Sequence, residues 1–168
     1  FWHDEGLTIR DSRMTELCRA ALWYSHNVEI TGTKLHGIKA LRECSDIRMK
    51  GCDIVSPEFG WSTQGFQMED CTIQSEYFMI RSQNLTFRGV QMKGKYSFQY
   101  IENAVFENCT FLRNGGSLFY IYNGGADFTL TDCIIQDNMG SAKRAYFDES
   151  GAGAWNETGT VETGNDWQ

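Results

Sequence analysis

Aromatic and charged residues recur at fixed intervals along the chain, in a combination suited to sugar chemistry. Glu58, Tyr77 and Tyr96 follow one another at one constant interval, and Arg81 follows Glu43 at twice that interval. Aromatic rings give a sugar a surface to pack on, while a carboxylate and a guanidinium fix its orientation. The candidate binding residues are Trp23, Tyr24, Glu43, Glu58, Trp61, Tyr77, Arg81, Tyr96 and Tyr100.

Two functions are compatible with this pattern. In the first, the chain is a non-catalytic binding or scaffold module whose aromatic face holds a carbohydrate or a protein partner. In the second, it is a carbohydrate-active enzyme of the polysaccharide lyase or glycoside hydrolase type, with Glu58, Glu43 and Arg81 on one outer sheet. The same rings would also suit a sheet that packs on a second subunit. The binding module is preferred, because the enzyme rests on analogy of fold alone.

The intervals come from a repeat that runs through most of the chain. Its pattern is apolar-x-apolar-x-x-small-x-apolar, as in residues 66–73 (FQMEDCTI). Successive repeats begin at a constant step in the middle of the chain, after a slightly longer first step, and the last step is longer still. A constant period of short alternating segments is typical of a solenoid of β-strands. The first apolar residues of the repeats are Leu7, Val28, Ile47, Phe66, Leu85, Ala104 and Phe128.

Two positions of the repeat predict corners between strands. The residue that precedes the small position, such as Asp70 or Gly89, is always Gly, Asn or Asp. The residue before each repeat follows the same rule from Asn27 onward. These residues tolerate a left-handed backbone. The sequence therefore predicts an all-β fold: a three-sided parallel β-helix of about seven coils over residues 1–138, with an irregular or disordered tail, 139–168, as a candidate cap.

The orientation of the third side is left open, because its segments are apolar at both alternating positions. If Leu22, Leu41, Met79 and Phe98 face the core, Trp23 and Trp61 are exposed. The opposite choice exposes four large apolar residues instead, namely Leu22, Leu41, Met79 and Phe98. Either choice predicts a face with more apolar surface than a solvated sheet carries.

Four of the six cysteines share the small position of the repeat: Cys52, Cys71, Cys109 and Cys133. The other coils carry Ser, Thr or Val there, so only a small side chain is required. Free cysteine behaves as a small buried hydrophobe, and inert core thiols are expected. The spacing of Cys and His offers no convergent tetrahedral site, so neither a metal nor another cofactor is expected.

The charge of the chain bears on its partners. A formal net charge of −7 argues against a nucleic acid or an anionic membrane surface. No apolar run approaches the roughly 20 residues needed to cross a bilayer.

Five phrases of the sequence bear on its family: Phe1–Ser12, Cys18–Ser25, His36–Cys44, Pro57–Trp61 and Lys93–Tyr100. They resemble a bacterial family of unknown function whose members are right-handed parallel β-helix proteins of the pectate-lyase-like type. The resemblance covers residues 1 to about 111 and implies a right-handed helix, a natural length greater than this chain and a cytoplasmic location. It brings no known activity. Residues 111–138 depart from it and are similar to the Gly-Gly-rich coils of secreted β-helix proteins.

Overall fold

Short parallel strands, each paired with the equivalent strand of the next coil, build the protein. The computed structural model describes residues 1–123, 127–148 and 153–168. The fold is the right-handed parallel β-helix predicted from the sequence. In chain order the strands are β1 (Thr8–Arg10), β2 (Arg13–Met14), β3 (Ala20–Ala21), β4 (His26–Thr31), β5 (Lys34–Leu35), β6 (Lys39–Ala40), β7 (Ser45–Lys50), β8 (Asp53–Val55), β9 (Glu58–Phe59), β10 (Gln64–Glu69), β11 (Thr72–Phe78), β12 (Gln83–Arg88), β13 (Gln91–Ser97), β14 (Gln99–Glu107), β15 (Thr110–Leu112), β16 (Gly115–Asn123), β17 (Phe128–Thr131), β18 (Ile134–Gln136), β19 (Met139–Asp148), β20 (Trp155–Thr158), β21 (Val161–Thr163) and β22 (Asp166–Trp167).

The strands stack in a register that follows the sequence repeat. In one sheet β7, β10, β12 and β14 are successive neighbours, and in the other β8, β11, β13 and β15 are. Phe66 pairs with Ile47 below and Leu85 above, so equivalent repeat positions lie directly over one another. The predicted register is confirmed, and each repeat position becomes a column of side chains.

Left-handed residues form the predicted corners. At the first corner, Asp70 has a φ of 52° and Gly89 a φ of 61°. At the second corner, Asn27 and Asn84 have φ values of 53° and 58°. These values lie in the left-handed region that Gly, Asn and Asp tolerate best. The corners let each coil return to the same position around the helix, one strand spacing further along the helix axis.

Neither choice for the third side was right. The four residues of the second choice, Leu22, Leu41, Met79 and Phe98, have φ values of 53° to 60° and are fully buried. The residues before them, such as Phe78, are buried as well. A left-handed residue changes the direction of the chain, so two consecutive side chains can point into the core. Trp23 and Trp61 are half-buried, and the face exposes less apolar surface than predicted.

Aromatic rings and thiols fill the interior. Phe87 and Phe106 stack with their centroids 5.2 Å apart and their planes at 6°. Five of the six cysteines are buried, among them all four at the small position. Burial raises the pKa of the Cys44 thiol to about 11. A hydrogen bond with the neighbouring thiol, together with burial, raises the pKa of Cys71 and Cys109. The structure thus places these thiols in the core, as predicted.

The chain after Asn138 differs from the expected irregular tail. In its described part, β19 to β22 pair in parallel with the preceding coil and add an eighth turn to the helix. Glu157 and Glu162 pair in register with the buried Leu130 and Ile135. Two charged residues at apolar repeat positions hide the periodicity, which is why the sequence did not predict this coil.

An ion network closes this end of the helix. The Lys143 Nζ lies 2.7 Å from Glu157 Oε1 and 2.6 Å from Glu162 Oε1. The Arg144 guanidinium lies 5.1 Å from the centroid of the Trp155 ring, which in turn stacks on Phe128. Paired charges therefore cover the apolar core where it ends, and the predicted capping role fits this arrangement.

Gly94→Ala will destabilise the protein, because neighbouring coils approach each other closely at this glycine. An added Cβ would lie 2.6 Å from the carbonyl oxygen of Ser75 and would also meet Ser97 Oγ. We expect the free energy of unfolding to fall by about 2 kcal/mol or more, measured by urea denaturation. Gly51→Ala is the control: its φ is 61°, with nothing within 4 Å of an added Cβ, and backbone strain of about 1 kcal/mol is expected. Equal losses in the two variants would contradict the role of the close approach.

Acidification will open the last coil before the others. Burial opposes ionisation of Glu157, but hydrogen bonds from Lys143 and Trp155 and the charges of Lys143 and Arg144 outweigh it and lower the pKa of this carboxyl below its usual value. A lowered folded pKa stabilises the protein above the unfolded pKa, and this contribution is lost as the pH falls through the folded pKa.

Amide hydrogen exchange, corrected for intrinsic rates between about pH 6 and pH 3, will show this loss of protection in residues 155–163. Glu157→Gln will show a smaller response to acid, because its side chain does not titrate. An unchanged response in that variant would disprove the role of the carboxylate.

Candidate functional site

A row of stacked side chains runs along one corner of the helix. Trp2 and Trp23 stack with centroids 5.4 Å apart and planes at 9°. The Arg42 guanidinium carbon lies 5.3 Å from the Trp23 ring centroid and 5.6 Å from that of Trp61. The row continues through Tyr77 to Tyr96. We call Trp2, Trp23, Arg42, Trp61, Tyr77 and Tyr96 the Trp–Tyr ladder.

The corner geometry positions the ladder. Trp23, Arg42 and Trp61 each follow a left-handed residue at the end of the third side, so their side chains leave the coil at the same place. Tyr77 and Tyr96 face each other across the parallel pair β11–β13. Their rings stack at 5.2 Å and 20°. The spacing between coils therefore brings the rings into contact.

Stacking turns the edges of the rings toward solvent. Trp23 has Trp2 on one face and Arg42 on the other. One face of Tyr77 is covered by Tyr96, and its contact with Trp61 is edge-on, at 6.2 Å and 78°. A sugar packs on the open face of a ring, and in the ladder those faces are largely occupied by neighbours.

The two predicted carboxylates are engaged in ion pairs on the same face. Glu58 Oε1 lies 3.0 Å from Lys39 Nζ, and Glu43 Oε1 lies 3.4 Å from Arg42 Nε. Arg81 is exposed and has a φ of 56°. The two carboxylates are thus held beside cations, an arrangement that suits orientation or structural pairing more than proton transfer.

The structure brings most of the predicted site residues to one corner. Trp23, Trp61, Tyr77 and Tyr96 lie within the ladder itself. Tyr24 joins it by an edge contact with Trp23 and stacks on His3 at 4.9 Å. Tyr100 packs against Tyr120 at 5.0 Å, one position further round the coil. Whether these residues bind a ligand stays a prediction.

Sequence reasoning missed three residues of the site. Arg42 stands midway between Trp23 and Trp61 in the sequence, one period from each, so the repeat alone placed it between them. Trp2 precedes Trp23 by the same longer step that separates the first two repeats. Lys39 occupies the position of Glu58 one coil earlier. The repeat spacing of the sequence would have been enough to place all three residues beside the predicted ones.

In the part of the chain that the structure describes, no group of three or more His, Cys, Asp or Glu residues is arranged to hold a metal ion. Nor does any helix in the described ranges have the length and hydropathy to cross a membrane.

Comparisons with known proteins give a family but no activity. A family profile described as "Protein of unknown function (DUF3737)" matches residues 1–137, and so continues through the stretch after Phe111 that was expected to depart from the family. No curated protein matches the chain. The solved structure of trypsin-treated QnrB1, a plasmid-mediated fluoroquinolone resistance protein, is 10% identical, with 95% of this chain and 91% of that chain covered and a TM-score of 0.24. A TM-score this low supports no inference about function.

Arg42→Gln will weaken the ladder, because a planar guanidinium stacked between two indoles is replaced by a neutral amide. We expect a loss of about 1 kcal/mol in the free energy of unfolding, with a red shift of tryptophan fluorescence. Arg42→Lys, which keeps the charge without the planar group, will recover only part of the loss. Arg81→Gln on the same face is the control and will leave stability nearly unchanged; equal effects at the two positions would disprove the stacking contribution.

Proposed function

The chain belongs to the DUF3737 family of proteins of unknown function, and we propose that it is a non-catalytic binding module that holds a protein partner on its Trp–Tyr ladder. One observation carries this proposal: the ladder presents ring edges and charged groups to solvent, while most of its ring faces are covered by neighbouring rings or by Arg42. The occupant must therefore bind to edges and polar groups.

A protein surface is the occupant that fits this chemistry best. Tryptophan, tyrosine and arginine contribute most of the binding energy in many protein interfaces. Their side chains here are already ordered by stacking, which lowers the entropic cost of binding. Glu43 and Arg81 stand exposed beside the ladder and supply charges of both signs for a complementary partner.

A carbohydrate is the less suitable occupant. A flat sugar ring needs an open aromatic face, and Trp23 has neighbours on both of its faces. The alternative of a carbohydrate-active enzyme gains nothing from the contacts of Glu58 and Glu43, since each carboxylate is paired with a cation. These points favour the protein partner among the functions that the sequence left open.

The proposal is tested by identifying the partner and then weakening the contact. The intact chain is cross-linked in an extract of its source cells, the attached protein is identified by mass spectrometry, and binding of the purified pair is measured. Arg81→Glu reverses a charge beside the ladder without removing a ring, and we expect it to weaken binding at least tenfold, about 1.4 kcal/mol.

Arg10→Glu is the matched control, because Arg10 is an exposed arginine on a different side of the helix. It will bind like the unchanged protein. Equal affinity of the two variants would place the partner elsewhere and disprove the proposal. A glycan array is run in parallel: binding to a defined glycan that is lost in Trp61→Ala would replace the protein partner with a carbohydrate.

A further inference from the structure

We propose that a cleft between the second and third sides of the helix, next to the Tyr96 end of the Trp–Tyr ladder, binds the carboxylate or phosphate group of a small organic anion. The cleft has a volume of about 480 Å³, within the range of small-molecule sites. Its lining comes from three successive coils: Gly94, Lys95, Arg113, Asn114, Gly115, Asp137 and Met139.

The cleft forms where the coil changes shape. In β13 the chain runs straight from the second side to the third through Gly94. In the next coil, Arg113 after β15 has a φ of 54°, and the chain turns before β16. Asn114 then donates hydrogen bonds from its backbone N–H and its side-chain amide to Asn138 Oδ1 in the coil above. The turn at Arg113 has no counterpart in β13, so the two coils do not stack evenly at this point. The gap between them is the cleft.

Two glycines of the lining let neighbouring coils approach each other closely. A Cβ at Gly115 would lie 3.3 Å from both Lys95 Cγ and the Lys95 carbonyl oxygen. A Cβ at Gly94 would lie 2.6 Å from the Ser75 carbonyl oxygen. Larger residues would fill this space or push the coils apart. Gly94 and Gly115 are half-buried, and both belong to the lining beside the cationic side chains.

The charges that line the cleft favour an anion. The Arg113 guanidinium is exposed and has no ion pair or hydrogen bond with the residues that the structure describes. Lys95 Nζ is held loosely, 3.9 Å from Glu76 Oε1 and 5.1 Å from the Tyr96 ring centroid. The lining carboxylate, Asp137, is turned toward the next coil.

Because of its orientation, the Asp137 carboxylate does not pair with the Arg113 guanidinium and so does not compete with a bound anion. Its Oδ1 lies against Gly164, and its Oδ2 accepts a hydrogen bond of 3.4 Å from Gln136 Nε2. Arg113 therefore offers a planar fork of N–H donors, the group that binds carboxylate and phosphate oxygens in pairs. In a chain of net charge −7, a cleft lined by two cations with one carboxylate turned aside is a local exception.

Met139 defines the other part of the ligand. Its side chain is 65% exposed at the rim of the cleft. An exposed, flexible apolar side chain next to a cationic site suits an organic anion with an apolar portion. The ligand class is therefore a small carboxylate or phosphate ester.

The test is a titration of the intact chain, followed by NMR or calorimetry, with two probes: inorganic phosphate and succinate. We expect saturable binding of at least one probe in the millimolar range, and the probe that binds identifies the anionic group. Arg113→Asn removes the guanidinium, and asparagine tolerates the left-handed backbone at this position. It will weaken binding about tenfold or more, and Lys95→Gln will weaken it less.

Arg10→Asn, which removes an exposed arginine distant from the cleft, is the control and will bind like the unchanged protein. Equal affinity in Arg113→Asn, or the absence of saturable binding of both probes, would overturn the proposal. Lys95 touches the ladder at Tyr96, whereas Arg113 lies outside it, so loss of the partner in the Arg81→Glu experiment has no bearing on the Arg113→Asn result.

Discussion

Each coil of this protein must bring the chain back to the same place about 4.8 Å further along the axis, and residues with left-handed backbone make that return possible. Corners at Asp70 and Gly89, at Asn84, and at Met79 divide the coils into straight segments of a few residues. A change of length or direction in one coil would shift every column in the next. The hydrophobic core, the outer faces and both proposed sites all depend on this one constraint.

In-register stacking makes each outer column a row of near neighbours. On the first side, Lys50 pairs with Glu69 at 2.9 Å and Arg88 with Glu107 at 2.6 Å. On the corner, Trp23 and Arg42 stack for the same reason. Exposed ion pairs contribute at most about 1 kcal/mol each. Their main effect is on register, because a slip by one coil would place like charges opposite each other.

The sequence predicted the corners at which the backbone requires Gly, Asn or Asp. It did not predict the corners at which core packing holds a large apolar residue in the same backbone conformation. The Gly, Asn and Asp corners were found because few other residues tolerate that backbone. The corner at Leu22 and Leu41 was missed because large apolar residues rarely adopt it. The strain is about 1–2 kcal/mol, while burial of a leucine side chain contributes about 1.5–3 kcal/mol, so burial wins. The last coil was missed because Glu157 and Glu162 neutralise Lys143 at positions that elsewhere are apolar.

The candidate site shows the same division between position and orientation. Spacing placed Tyr77 and Tyr96 in one column and Trp61 in a second column on the same face, because column membership follows from the period alone. It left the direction of the rings undetermined, since that depends on side-chain torsions and on Arg42 between two indoles. Aromatic residues on the outside of a β-helix are therefore weak support for sugar binding. When neighbouring coils carry rings in one column, the rings stack on each other, and what the column offers a partner is its edges and the charges beside it.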